Sequence, residues 1–362
     1  MDEKFLVVGL IAEMNLGYKA LVSNFNLLKE PYKLTFAITY RCNSRCKTCS
    51  IWRKKTGNEL SLEEIEKFAK RSDFFSWFNL TGGEPFLRKD IVDIAKAFLE
   101  NSKNFYLLNT TSNGYTPDVI AERVEEMLSL KIPRCVIVIS LDGYREVHEK
   151  IKGVKGSWDK AIESFKLLKS LSEEHKNFQT FLGYTISPLN IGQFKKTCLS
   201  VKEVMPEVEP KDFHVNLMHA SEHYFENADT KLKLNPSKML QELGLIENMR
   251  ENNSLNPVLF AQSFLEKNYI NLAKSFVKNR KTPLPCKVLQ SSIFLDPCGN
   301  VFPCTIFNKL LGNIRENNYK LGDIIETSEA KKLGKDILDL KCPNCWTPCE
   351  AYQTILGNIF KL

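Results

Sequence analysis

The chain has 362 residues, 43% of them hydrophobic and 26% charged, with 50 Lys and Arg against 43 Asp and Glu for a formal net charge of +7. This is ordinary globular composition, which excludes a wholly disordered, collagen-like or membrane-spanning chain, and the length suits two or three domains. The positive charge is spread through Lys-rich helical stretches and is not gathered in one long basic run, so charge alone gives no indication of nucleic acid.

In chain order, Phe5 to Leu28 reads as an apolar helical segment that packs on the neighbouring domain. An interfacial role towards a lipid-like substrate is the minority reading, because the basic face is thin, with only Lys4, Lys19 and Lys29. The apolar run Phe5 to Ala12 is far shorter than the roughly 20 residues of a spanning helix, and Asp2 and Glu3 stand where a secretory signal would be basic. A cytoplasmic protein is expected. From residue 33, β-rich runs alternate with amphipathic ones: strands at 34–39, 77–81, 106–112, 135–141, 180–187 and 213–218, and helices near 61–71, 90–101, 117–130, 157–174 and 190–204. The first of these helices opens on an S-x-E-E start at Ser61 to Glu64. Six strands with intervening helices demand a parallel sheet with right-handed crossovers, doubly wound or curled towards a barrel, with function at the carboxyl ends of the strands. Residues 236–282 read as a helical connector, and 283–362 as a cysteine- and proline-rich module stapled by metal. The expected domains are therefore 1–32, 33–235, 236–282 and 283–362.

Nine of the eleven cysteines fall in two groups, Cys42, Cys46 and Cys49, and six between Cys286 and Cys349. In a long chain without a secretory signal such grouping points to metal before disulfide. Cys42-Asn-Ser-Arg-Cys46-Lys-Thr-Cys49 comes directly after the first strand, and three thiolates on one loop can reach three corners of an iron–sulfur cube, leaving one iron open to another ligand. Structural zinc wants four ligands, and no fourth Cys or His is near. Thr81-Gly82-Gly83-Glu84-Pro85 ends the second strand, where paired glycines admit close backbone approach and Glu84 can accept from a cationic amine.

Together, CxxxCxxC after strand one and GGEP after strand two resemble the radical S-adenosylmethionine (radical SAM) superfamily. The resemblance implies a partial (β/α)6 barrel over about residues 33–235, with a 4Fe-4S cluster on Cys42, Cys46 and Cys49. It implies S-adenosylmethionine on the open iron, reductively cleaved to methionine and a 5′-deoxyadenosyl radical that removes a hydrogen atom from substrate. Gly82, Gly83 and Glu84 would meet the methionyl amine. Ser112, Asn113, Ser140 and Asp142, closing the third and fourth strands, would meet ribose and carboxylate. Trp52 would flank the adenine or cover the cluster.

The tail resembles the SPASM/twitch extension of the same enzymes: Cys286, twelve residues, Gly299, four residues, Cys304, then Cys342-Pro-Asn-Cys345-Trp-Thr-Pro-Cys349. It departs from the full pattern by having no cysteine after Cys349. Six thiols are too few for two fully ligated cubanes, so one auxiliary 4Fe-4S cluster on Cys286, Cys304, Cys342 and Cys345 is expected, with Cys349 able to replace one of the four and Cys298 a ligand or a bystander. A zinc ribbon on the same four residues is the competing reading. Cys135 and Cys198 read as buried thiols, and His219 and His223, four apart, as substrate contacts with Tyr224, as a metal pair, or as surface and core residues.

The expectation is thus an enzyme with one auxiliary cluster that assists oxidation or binds substrate. Peptide or protein maturation is preferred over a sugar, alcohol or lipid substrate, and an external electron donor of reductase, flavodoxin or ferredoxin type is implied. A non-catalytic iron–sulfur or zinc protein is the rival from another class, and it has no need of GGEP beside a three-cysteine loop. RNA modification is disfavoured, since there is no appended nucleic-acid module or basic stripe.

Overall fold

The computed structural model describes residues 3–230, 232–233, 235–250 and 257–362, with side chains from residue 7 and, after the second break, from residue 262. Helix α1 (Glu3–Ser23) precedes a repeating unit: β1 (Lys33–Thr39), α2 (Leu62–Arg71), β2 (Trp77–Gly82), α3 (Ile91–Asn101), β3 (Leu107–Ser112), α4 (Pro117–Ser129) and β4 (Arg134–Ser140). It continues through α5 (Arg145–Lys152), α6 (Ser157–Glu174), β5 (Phe178–Ile186), α7 (Phe194–Lys202) and β6 (Phe213–Leu217). Two long helices come next, α8 (Pro236–Met249) and α9 (Pro257–Asn279), and then β7 (Ser292–Leu295), β8 (Asn300–Phe302), β9 (Gly312–Asn313), α10 (Gly322–Ile325), α11 (Ser328–Leu338) and α12 (Pro348–Leu356).

The sheet order is β6-β5-β4-β3-β2-β1-β7-β8-β9, with β1 to β6 parallel. Strands one to six run in sequence without reversal, so there is no switch point of the doubly wound kind, and the sheet is the open six-stranded part of a barrel. Period two explains its faces: Leu34, Phe36, Ile38, Phe78, Leu80 and Leu108 pack on the helices. Lys33, Asn79 and Asn109 take the other face, where Asn109 donates to Asn79 at 2.7 Å and accepts from the Trp77 indole at 2.6 Å. Helix ends reflect their local chemistry. Ser61 and Glu64 close a capping box on α2, Pro117 opens α4, and Gly153 at φ 68° stops α5.

The tail does not stand off as a separate module. β7 pairs parallel to β1, and Ile293, Leu295, Ile314, Trp346 and Ile355 join the barrel core. Helix α12 crosses the concave face: Tyr352 meets His214 of β6, while Gln353 accepts from Lys33 of β1 at 3.0 Å. Among the described residues no helix is long and apolar enough to cross a membrane.

Candidate functional site

The loop after β1 is fixed from several sides. Gly83 N–H donates to Thr39 O and Glu84 N–H to Arg41 O, both at 2.8 Å, zipping the GGEP turn to the start of the cysteine loop. A Cβ on Gly82 would lie 2.2 Å from Thr39 O, and one on Gly83 2.3 Å from Arg41 O, so neither position admits a side chain. Further along, Arg45 N–H and Lys47 N–H donate to Lys152 O and Ile151 O at 3.0 and 2.8 Å, taking up carbonyls that the end of α5 leaves free. Buried Ser44 organises the thiols: its N–H lies 3.4 Å from Cys42 Sγ, and its hydroxyl lies 3.1 Å from both Cys46 Sγ and the Tyr115 hydroxyl. Burial pushes the Cys42 thiol up to about 11 and the Cys49 thiol up to about 12. Such thiols stay protonated at neutral pH until a coordinating cation deprotonates them. The three cysteines on this one loop fit a cube with one open iron.

Around this loop lie the residues singled out in the sequence. Glu84 is buried at 2% exposure and accepts from Asn113 N–H at 2.7 Å, Ser112 hydroxyl at 2.9 Å and Phe86 N–H at 3.2 Å. Its burial raises the carboxyl to about 7 despite these donors. Ser112 and Asn113 therefore act on Glu84, and the Asn113 amide also donates to Asn43 at 2.6 Å. Asp142 is committed as well: one oxygen accepts from Thr185 N–H at 2.9 Å, and the other pairs with Lys152 at 2.8 Å. Burial disfavours the Lys152 ammonium, but Asp142 and its neighbours outweigh it and hold the amine above its ordinary value. Trp52 is flanked by the guanidiniums of Arg45 and Arg53, at 5.2 and 4.8 Å from its ring. Ser140 ends β4 half-buried. The Tyr224 hydroxyl bonds Thr81 at 2.9 Å and donates to the Gly82 carbonyl at 3.2 Å.

In the tail, Cys286, Cys304, Cys342 and Cys345 line one cavity, with Ile337 and Glu350 in its wall. Thr282 braces the later pair, donating to Cys345 O and accepting from Cys345 N–H, both at 3.2 Å. Burial pushes the Cys286 thiol up to about 12 and raises Cys304 and Cys345 well above the thiol range. The donor set, four thiols lining one cavity, two of the cysteines buried and two half-buried, fits an iron–sulfur group. Among the described residues, no three Cys, His, Asp or Glu side chains close on a single-ion site. Cys349 lies outside this cavity: its thiol faces the Asn79 amide at 3.9 Å, beside Lys33. Cys298 also lies outside, on the β7–β8 turn, with its thiol 3.7 Å from Gly57 O.

The histidines do not form a metal pair. His219 and His223 lie on no helix; His219 accepts from Trp346 N–H at 3.3 Å, while His223 meets Cys304 O at 3.0 Å. The segment they belong to is tied to both cysteine sites: Phe225 O accepts from Ser50 N–H at 2.8 Å, the Asn227 amide donates to Thr48 O at 2.9 Å, and the Ser221 hydroxyl donates to Thr305 O at 2.6 Å. Sequence reasoning missed Lys152, whose only signal was the Lys-Gly helix stop at 152–153.

Residues 36–198 match the family model described as the radical SAM superfamily, and residues 286–350 match the iron–sulfur cluster-binding domain SPASM. The chain is 24% identical over 344 residues to the antilisterial bacteriocin subtilosin biosynthesis protein AlbA of Bacillus subtilis (strain 168), covering 89% of this chain and 67% of that protein. It is 21% identical over 328 residues to the AdoMet-dependent heme synthase of Methanosarcina barkeri, covering 86% of each. Among solved structures, anSMEcpe with bound AdoMet and the Kp18Cys peptide superposes with a TM-score of 0.59 at 15% identity, covering 91% of this chain and 98% of that one.

Proposed function

From a chain that is a radical SAM enzyme with a C-terminal SPASM iron–sulfur domain, we propose a catalyst that modifies a peptide or protein side chain at an unactivated C–H bond. When bound, the first cluster supplies the electron that cleaves S-adenosylmethionine, and the resulting 5′-deoxyadenosyl radical takes a hydrogen atom from substrate. Cys42, Cys46 and Cys49 hold that cluster in this reading. Glu84 accepts from the methionyl amine, placed by Ser112, Asn113 and the backbone of Gly82 and Gly83. Asp142 shapes the pocket through Lys152, whose ammonium acts on the Cys42, Cys46 and Cys49 thiols, while Trp52 and Ser140 line the adenosyl side. Cys286, Cys304, Cys342 and Cys345 would hold one auxiliary cluster, which would supply an acceptor for the electron left on the substrate after hydrogen-atom loss; with release of a proton the net change is a two-electron oxidation.

The observation that carries this reading is that one segment, residues 219–227, is bonded to both cysteine sites, Phe225 O accepting from Ser50 N–H at 2.8 Å and His223 meeting Cys304 O at 3.0 Å. The peptide preference is supported by similarity to a bacteriocin biosynthesis protein and by a like fold that binds a peptide. A small-molecule substrate is the second reading, supported by the heme synthase match along 86% of both chains. Mass spectrometry separates the two, using short peptides encoded beside the gene and incubated with reconstituted enzyme and S-adenosylmethionine. A peptide product lighter by two hydrogens, absent from the Cys42→Ala, Cys46→Ala, Cys49→Ala protein, supports the proposal. S-adenosylmethionine cleavage with every such peptide unchanged contradicts it.

A further inference from the structure

Helix α1 carries apolar residues on two opposite sides, and a helix of that kind is stable when both are covered. One side is covered. Ala12, Ala20 and Ser23 are buried, Lys19 donates to Phe74 O at 2.6 Å and to the Ser76 hydroxyl at 3.1 Å, and the Asn24 amide donates to Leu356 O at 2.9 Å. The other side is bare. Val7, Ile11, Met14, Tyr18, Leu21 and, just past the helix end, Phe25 are each between 47% and 67% exposed. They follow one another at alternating gaps of four and three residues, the repeat that keeps one seam of a helix facing a second helix. The flanks of the seam suit a partner identical to itself. Val8, Asn15 and Val22 on one flank and Leu10, Gly17 and Asn24 on the other carry no charge, so two copies meet there without like-charge repulsion.

We propose that this seam is the contact between two copies of the chain, which pair α1 to α1 about a two-fold axis. The exposed surface of the six side chains is on the order of 800 Å² per copy, the share that each partner buries in a stable interface of standard size. Phe360 extends it, for its ring lies 5.9 Å from that of Phe25 and both are exposed. The position of α1 in the fold favours a second copy over a substrate or a lipid surface that delivers one. Ser76 stands just ahead of β2, and a Cβ on Gly9 would lie 3.6 Å from Pro133, just ahead of β4, so α1 crosses the amino ends of the strands. The cysteine loop leaves the carboxyl end of β1, at the other end of the sheet. A copy docked on α1 therefore leaves both cysteine loops clear. A lipid surface is further disfavoured because Lys19, one of the few basic residues of the helix, is turned inward to Phe74 and Ser76.

The test is sedimentation velocity of the full, anaerobically reconstituted chain at about 50 µM, well above the micromolar Kd at the weak end for interfaces of this size. Wild type is expected to sediment at twice the monomer mass. The Met14→Glu, Tyr18→Glu double variant, changed at the two most exposed positions of the seam, is expected to run as a monomer, its dimer Kd raised about a hundredfold or more because pairing would bury carboxylates that have no partner. Val119→Glu, an exposed apolar position on α4 away from the seam, is expected to stay dimeric, with circular dichroism and iron content of both variants like wild type. Tyr18→Arg alone gives the same reading if the double variant does not fold. A monomeric wild type overturns the proposal, and so does a folded seam variant that remains a dimer. A monomeric wild type that floats with phosphatidylglycerol vesicles, while the double variant does not, overturns it in favour of a lipid surface.

Discussion

Lys152→Met probes the ion pair that braces the first cysteine loop. The Lys152 and Asp142 side chains are 8% and 6% exposed and 2.8 Å apart, and removing one partner of such a pair strands a buried charge, at a cost of about 3–5 kcal/mol. The stranded carboxylate lies next to the helix end on which Arg45 and Lys47 are hung, so the disturbance reaches the cluster loop directly. Pairing the change with Asp142→Asn removes the stranded charge while leaving an oxygen to accept from Thr185 N–H, and the double variant should recover all but about 1–2 kcal/mol. Urea denaturation of the reconstituted protein measures the stability, and iron counting measures the loop. The single variant is expected to lose up to about four irons from the first site and keep those of the tail. A single variant within about 1 kcal/mol of wild type, or a double variant no better than the single, would refute the reasoning.

The same geometry gives three other expected outcomes. Cys345→Ser should remove the tail iron while Cys349→Ser keeps it, because only the former lines the tail cavity; equal loss in both would make Cys349 a ligand. Glu84→Gln puts an amide where three donors converge, and equilibrium dialysis should show S-adenosylmethionine affinity lowered about tenfold or more, consistent with losing a charge-assisted bond of about 1.5–3 kcal/mol. Glu64 ties α2 to the tail through Arg315 at 2.6 Å and Tyr319 at 3.0 Å, and the hydrogen bond from Arg315 is the main reason its carboxyl is depressed to about 2. A depressed acid stabilises above its unfolded value, so Glu64→Gln should cost about 1–2 kcal/mol after solvent screening. In urea midpoints that gap should hold steady from pH 8 to 5, narrow from about pH 4.5 and vanish below about pH 2.

The barrel strands were legible because each is a short β-branched or aromatic run, and the site was legible because thiol spacing and paired glycines are local signals. What escaped was non-local. Helix α5 is short and polar, Arg-Glu-Val-His-Glu-Lys-Ile-Lys, with only His148, Ile151 and Lys152 buried, so no apolar stripe announces it. With α5 unseen, Lys152 could not be placed beside the thiols. Four-residue β7 gives no periodicity of its own and becomes a strand only by pairing with β1. The i,i+4 spacing of His219 and His223 carried no metal meaning because the segment is a turn that straps the two cysteine sites.

The central claim is that two cysteine sites hold two 4Fe-4S clusters and that the first drives cleavage of S-adenosylmethionine. Anaerobic reconstitution, iron counting and assay for 5′-deoxyadenosine with dithionite test it directly, in wild type and in the Cys42→Ala, Cys46→Ala, Cys49→Ala protein. About eight irons in wild type and about four in the variant, with 5′-deoxyadenosine lost, is the predicted result. Zinc in place of iron, and no 5′-deoxyadenosine from the reconstituted wild type, would contradict it.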